Sequence, residues 1–204
     1  MSTTRFPNGV TNVPSTVTLG AMGQLDPTVY EWAYSDFVEV ESGFGASPTA
    51  IDGAGGLATL ATTTAAVTPK KSFILNPAKE LYMKAQFSLS ATAGSTITLG
   101  IVDAIAAITK GVSLVLTTGT TLTLNVKGAG TSTVAATVAV PATTMTSIGL
   151  SYTPNFGFKV FVNDQVVASL YDASNMDNTT LCVAGLLSGG ITTTLDYLFF
   201  AVER

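Results

Sequence analysis

Residues 147–170 read SIGLSYTPNFGFKVFVNDQVVASL, and their pattern decides the fold class. Ser147 to Tyr152 alternates apolar and polar residues, and Thr153-Pro154-Asn155-Phe156-Gly157 supplies turn chemistry. Phe158 to Val162 is β-branched and aromatic. Asn163-Asp164-Gln165 is a tight turn, and Val166 to Leu170 returns as its partner. Three strands in twenty-four residues leave no room for a helix between them. Antiparallel neighbours joined by short turns are therefore expected.

The same rhythm extends in both directions. Leu81 to Leu89 (LYMKAQFSL) sets Leu81, Met83, Ala85, Phe87 and Leu89 on one face and Tyr82, Lys84, Gln86 and Ser88 on the other. That strict period of two predicts a half-buried strand. Thr96 to Val102 is the next strand, after a turn over Ala91 to Ser95. Asp103 to Lys110 reads equally as one helical turn or a continuing strand. Val112 to Val126 is a hairpin about Thr118-Gly119-Thr120. Lys127 to Ser132 is a Gly-rich turn, and Thr133 to Val140 alternates until Pro141 ends it. Thr180 to Leu187 and Thr192 to Val202 complete the series, the latter expected to pair inside a sheet.

Towards the N-terminus the pattern weakens. Leu57 to Ala61 is a short strand, between polar loops at Glu41 to Gly56 and Thr62 to Pro69. Val29 to Val40 is the most aromatic stretch. Asp36 to Val40 alternates as a first strand, and Tyr30 to Tyr34 fits a short helical turn or an extended lead-in. Trp32 reads as a packing anchor. Met1 to Thr28 has no clear period, three prolines, and only Arg5 and Asp26 as charges. Yet Phe6, Val10, Val13, Val17, Leu19, Met22 and Leu25 make it too apolar for a solvated tail. An extended arm over residues 1–28 and a single β-sandwich domain over 29–204 follow from this contrast.

Roughly a dozen short strands, with turn signals about every 8–12 residues, predict an all-β sandwich or barrel. The strand, turn and FKVFVNDQVV hairpin, with the closing LDYLFFAV, resembles the final strands of concanavalin-like and laminin-G-like jelly rolls. That resemblance implies a jelly-roll sandwich rather than an up-and-down barrel.

Composition restricts the chemistry. Of 204 residues, 47% are hydrophobic and only 11% charged, against about 25% charged in an average domain. About one residue in six is threonine, which suits pleated surfaces and wets them without charge. Such a surface fits burial against other chains or a Thr-rich extracellular exterior. The formal charge is −4, and Lys70-Lys71 is the one adjacent basic pair, so no phosphate-tracking patch forms and nucleic acid is not an expected partner. There is no histidine and one cysteine, Cys182, which rules out an intrachain disulfide and a Cys/His zinc site. Cys182 lies in LCVAGLL and reads as a small core residue. Gly53-Ala54-Gly55-Gly56 lacks the following helix and Lys-Ser or Lys-Thr of a phosphate loop. No compact apolar run marks a secretion signal, and Asp103, Lys110 and Gly111 interrupt the most apolar segment, Gly100 to Leu116, so no membrane span is expected.

No catalytic group stands out, and the protein is not expected to be an enzyme. There is no histidine base, and the carboxylates are scattered. Of the closest group, Asp36, Glu39 and Glu41, the first two fall on opposite faces of a strand, which disfavours a glycosidase pair. Asp172, Asn175, Asp177 and Asn178 in YDASNMDN could offer oxygens to calcium, but the same residues also make a self-bonded turn. Asp172 and Asp177 are the metal candidates, and no cofactor is expected. Tyr152, Phe156 and Tyr171 are the aromatics a glycan would want, although each also reads as core or hinge.

The opening TTRFPNGVTNV (Thr3 to Val13), with Leu19-Gly20, Asp26-Pro27-Thr28 and the aromatic run Trp32, Tyr34, Asp36, Phe37, resembles a group of small tailed-bacteriophage virion proteins. Asp196, Tyr197, Glu203 and Arg204 are similar to the end of that group. Glu31 stands where such openings often carry histidine. The resemblance implies a cement, or decoration, protein on the capsid exterior, made in the host cytoplasm. Its partners would be the major capsid protein and itself, as a homodimer or homotrimer, with no nucleic acid and no membrane. Arg5, Phe6, Pro7, Leu19 and Trp32 would be interface residues. The alternative is a lectin-like head-fibre or tail protein that binds host-surface glycans.

Overall fold

The computed structural model describes residues 29–35, 49–52, 56–60, 65–68 and 71–204. Among them there are fifteen strands and no helix: β1 (Tyr30–Ser35), β2 (Thr49–Asp52), β3 (Leu57–Leu60), β4 (Ala65–Val67), β5 (Ser72–Ile74), β6 (Leu81–Leu89), β7 (Thr96–Val102) and β8 (Gly111–Thr117). Then follow β9 (Thr121–Lys127), β10 (Thr131–Thr137), β11 (Thr146–Thr153), β12 (Gly157–Val162), β13 (Gln165–Leu170), β14 (Leu181–Gly189) and β15 (Thr193–Glu203). Two antiparallel sheets result. One runs β13-β12-β11-β6-β15-β3-β2, with β1 also on β15; the other runs β10-β9-β8-β7-β14-β4, with β5 also on β14.

Alternation along the strands builds the core. Leu81, Met83, Ala85, Phe87 and Leu89 of β6 are all buried, against Ile148 and Leu150 of β11 and Phe200 of β15. From the other sheet come Ile97 and Leu99 of β7, Leu114 and Leu116 of β8, Leu122 and Leu124 of β9, and Leu186 of β14. Cys182 of β14 is in this cluster, as its apolar setting predicts, and burial pushes its thiol up to about 11.

β15 carries a bulge. Leu195 lies opposite Phe87 and Tyr197 opposite Gln86, which leaves Asp196 as the extra residue. The shift turns Leu198, Phe200 and Val202 inward and Phe199 and Ala201 outward. Phe199 and Phe200 are therefore both fully buried, on opposite faces. The outward cluster is Tyr82, Phe161, Phe199 and Ala201, with Tyr30, Trp32 and Tyr34 of β1 packed against it. Trp32 thus does the anchoring work expected of it, half-buried opposite Ala201.

Several sequence expectations change. Tyr30 to Tyr34, read as a helical turn or lead-in, is strand β1, because the closing strand offers it a full ladder from Glu203 to Leu198. The loop expected over Glu41 to Gly56 contains β2, and the loop over Thr62 to Pro69 contains β4. β5 follows, unread. These strands are three or four residues long, too short to show a period; partners in β3 and β14 make them. Asp103 to Lys110 is neither helix nor strand but a loop tied by the Asp103 carboxylate to the Thr109 and Lys110 amides, both at 3.0 Å. β10 starts at Thr131, inside the expected Gly-rich turn. Val138 and Val140 leave the ladder but donate to the Thr120 and Gly119 carbonyls. The expected strand over Asp36 to Val40, the arm over 1–28, and Arg5, Phe6, Pro7 and Leu19 lie outside the described residues.

Candidate functional site

One end of the sandwich gathers the loops 103–110, 128–130, 154–156 and 171–180. Packing joins them. Gly128 allows the closest approach: a Cβ there would stand 2.4 Å from the Asn175 carbonyl oxygen. The Lys127 ammonium donates to the Ile108 carbonyl at 3.1 Å. Met176 inserts into the core and pins the middle of the 171–180 loop.

Asp172 and Asp177 sit in this loop as the sequence suggests, but they serve it internally. The Ser132 hydroxyl donates to Asp172 at 2.5 Å, and the Ser174 amide at 2.9 Å. Those two serines hold the Asp172 carboxyl down at about 2. Ser132 in turn accepts from the Asn175 amide group at 2.9 Å. Asp177 pairs with the Lys110 ammonium at 2.7 Å and accepts from Thr179 and Thr180. Lys110 first, then Thr179, hold it well below the usual carboxylate range. The two carboxylates thus have separate partner sets, and that of Asp177 includes an ammonium. Among the described residues no three His, Cys, Asp or Glu side chains come together as a metal cage.

A shallow cavity of about 330 Å³ opens here, lined by Lys110, Ala129, Ser174, Asn175, Asn178 and Thr179 among others. Beside this loop the core-or-hinge reading holds for Tyr152 and fails for Phe156 and Tyr171. Tyr152 is core, its ring tilted against Phe158 with centres 4.5 Å apart and its hydroxyl donating to the Pro77 carbonyl at 2.6 Å. Phe156 and Tyr171, read as core or hinge, are 69% and 80% exposed. Gly157 brings them together. Its φ is +79°, and a Cβ on it would stand 2.5 Å from the Leu170 oxygen and 2.7 Å from the Tyr171 Cα. Two exposed aromatic residues therefore stand at neighbouring backbone positions, next to Asp172 in the chain. Sequence spacing could not show this, because fifteen residues separate them and the β12–β13 register joins them.

A second cluster was not visible in the sequence. The Tyr30 and Tyr82 hydroxyls both donate to one oxygen of Glu80, at 2.5 and 2.7 Å. Burial first, then Glu80, push both phenols far above their ordinary range. The Glu80 amide donates to Glu203 at 2.9 Å. Chain separation hid this bond between the Glu80 backbone and the Glu203 carboxylate; strand β15 returning beside β6 creates it.

The acidic loops predict a pH response. Asp103 is also held at about 2: burial opposes this, but bonds from Thr109 and the Lys110 amide outweigh it. The folded values of Asp103 and Asp172 lie below the unfolded value of about 3.9. Their stabilisation is therefore present above about pH 4 and lost as pH falls towards 2. Hydrogen exchange followed from pH 5 to pH 2 should show loops 103–110 and 171–180 loosening before the strands. Uniform protection across that range would contradict the bonding described.

No protein-family model matches the chain, and no curated protein matches its sequence. Solved structures do match the fold. The carbohydrate recognition domain of Emp47p superposes with a TM-score of 0.64 over 86% of this chain and 98% of its own, at 12% identity. Bacillus licheniformis β-glucanase gives 0.58 over 83% and 97%, at 8% identity. The Crh5 transglycosylase gives 0.58 over 83% of each chain, at 11% identity. The fold is accordingly a concanavalin-like jelly-roll sandwich, as the sequence pattern predicts. At these identities the likeness is one of fold.

Proposed function

We propose that this protein is a non-catalytic glycan-binding domain whose contact surface is the loop end around Phe156 and Tyr171. The observation that carries the reading is the exposure of Phe156 and Tyr171, whose backbones adjoin through Gly157, at the end of the sandwich that also holds the polar cavity. Exposed aromatic faces bind the apolar face of a sugar ring, while amides and hydroxyls nearby can meet its hydroxyls. Asn175, Asn178, Ser174 and Thr179 are such groups. The reading draws further support from the Emp47p domain and from the Bacillus subtilis carbohydrate-binding module CBM66, which share the fold at TM-scores of 0.64 and 0.51. The test is direct: the full chain is screened against a panel of neutral and acidic oligosaccharides, and hits are titrated by calorimetry. Saturable binding to a defined class is expected, and no binding across the panel would overturn the reading.

Attachment to a capsid is a second reading, and it rests on the opening motif Thr3 to Val13. A virion protein could both sit on a shell and bind host glycans. Deleting residues 2–25 should abolish binding to empty capsids while the sandwich still folds. Unchanged capsid binding by the truncated chain would exclude the arm as the attachment device.

A further inference from the structure

A second cleft, of about 370 Å³, lies where the two sheets meet beside β1 and β5. Ile74 and Leu181 line it from directly opposed positions, 56% and 61% exposed. Among the described residues β1 pairs only with β15. Its other edge can therefore take an extended segment as a further strand. Four charges rim the cleft in two ion pairs, Lys79 with Glu203 at 3.6 Å and Arg204 with Glu31 at 3.9 Å. A rim neutralised in this way suits an occupant with apolar side chains, available N–H groups and no charge.

The opening segment contains such a stretch. Residues 15–25 read STVTLGAMGQL, without charge or proline, and carry Val17, Leu19, Met22 and Leu25. Pro14 and Pro27 bound it, so every residue within it has an N–H to donate. Extended, these residues span up to roughly 40 Å, about the width of a domain of this size. Their attachment point is at the cleft. The Val29 carbonyl accepts from the Arg204 amide at 2.7 Å, and Glu31 and Arg204 line the cleft. Only Asp26-Pro27-Thr28-Val29 separates the stretch from β1. Asp and then Pro are the residues that favour the first two positions of a β-turn, and Val29 itself lies in a turn. A reversal there is a four-residue hairpin connection, which brings residues 15–25 back alongside β1. So short a tether holds them at an effective concentration in the millimolar range, on the order of what any other chain would need in solution to compete.

We propose that residues 15–25 occupy the cleft of their own chain as a strap, paired along the open edge of β1 and covering Ile74 and Leu181. Since β1 belongs to one sheet and Ile74 and Leu181 to the other, the strap ties the two sheets together at this margin. It also shortens the free arm to residues 1–14, up to roughly 50 Å of extended chain.

The test uses the full chain. Ile74→Cys is labelled with a maleimide benzophenone; the native thiol, Cys182, is buried. A mixture of ¹⁴N and ¹⁵N preparations is irradiated, and the cross-linked peptides are sequenced. Links from residue 74 into residues 15–25 that join like isotopes only are expected. Links of mixed isotope would put another copy's segment in the cleft and overturn the strap; so would links that never reach residues 15–25. A second variant, Leu19→Asp/Leu25→Asp, leaves the cleft intact and charges the strap. Amide exchange along β1 should then quicken by roughly tenfold or more, while the β7 to β10 ladder keeps its protection. Exchange along β1 that is unchanged, or that rises equally across the whole sandwich, would likewise overturn the proposal.

Discussion

Replacing Asp164 with alanine should cost about 3–5 kcal/mol of stability, the range for breaking a buried ion pair. Asp164 sits in the two-residue turn between β12 and β13 and meets the Lys84 ammonium at 2.6 Å. Lys84 points off the outer face of β6, yet its side chain is only 3% exposed, and the ammonium lies 5.9 Å from the Tyr197 ring centre. A charge so far from water depends on the groups that meet it, and Asp164 is the carboxylate at 2.6 Å. The turn adds a smaller cost. Asn163 and Asp164 both have positive φ, +46° and +66°, which Asn and Asp tolerate and alanine does not. Asp164→Asn separates the two effects by keeping the turn and removing the charge. Denaturant unfolding should place Asp164→Asn most of the way to Asp164→Ala. Lys84→Met combined with Asp164→Asn should recover much of the loss, since neither charge then needs a partner. A cost under about 1 kcal/mol for Asp164→Asn would show that the pair behaves as a surface bridge.

The second large effect concerns binding. Phe156→Ala/Tyr171→Ala should weaken binding of whichever oligosaccharide the wild type binds by roughly thirtyfold to thousandfold, while the melting temperature stays within about a degree or two. Both rings are more than two-thirds exposed, so truncation takes little from the core. Each ring covered by a sugar face is worth about 1–2 kcal/mol of buried apolar area and stacking. Together they amount to roughly a thirtyfold to thousandfold loss of affinity. Retained affinity in the double variant, with binding intact in the wild type, would move the site away from this end of the sandwich.

The readable parts of this chain were those with long periodic strands. Leu81 to Leu89 and the hairpin of β8 and β9 alternate over enough residues for the core face to be assigned from the sequence, and the run from Ser147 to Leu170 shows its three strands and two turns. The short strands β2, β4 and β5 could not be read, because their ladder partners in β3 and β14, rather than their own residues, make them strands. The loop YDASNMDN was legible as a polar, self-bonded turn, and Asp172 and Asp177 do bond within it. Lys110, which neutralises Asp177, comes from another loop and left no mark in that stretch.

The sequence by itself determined the all-β class, a core built from alternating strands, a buried cysteine, and the lack of histidine chemistry. These follow from local period and residue type, which tertiary contacts do not alter. Only the tertiary structure decided which aromatics are covered and what each carboxylate bonds. Tyr152 is core and Phe156, four residues later, is exposed; the turn at Gly157 and the return of β13 make that difference. Glu80 and Glu203 adjoin because the last strand comes back beside β6. Contacts of this kind are set by strand order and register, and no stretch of sequence contains them.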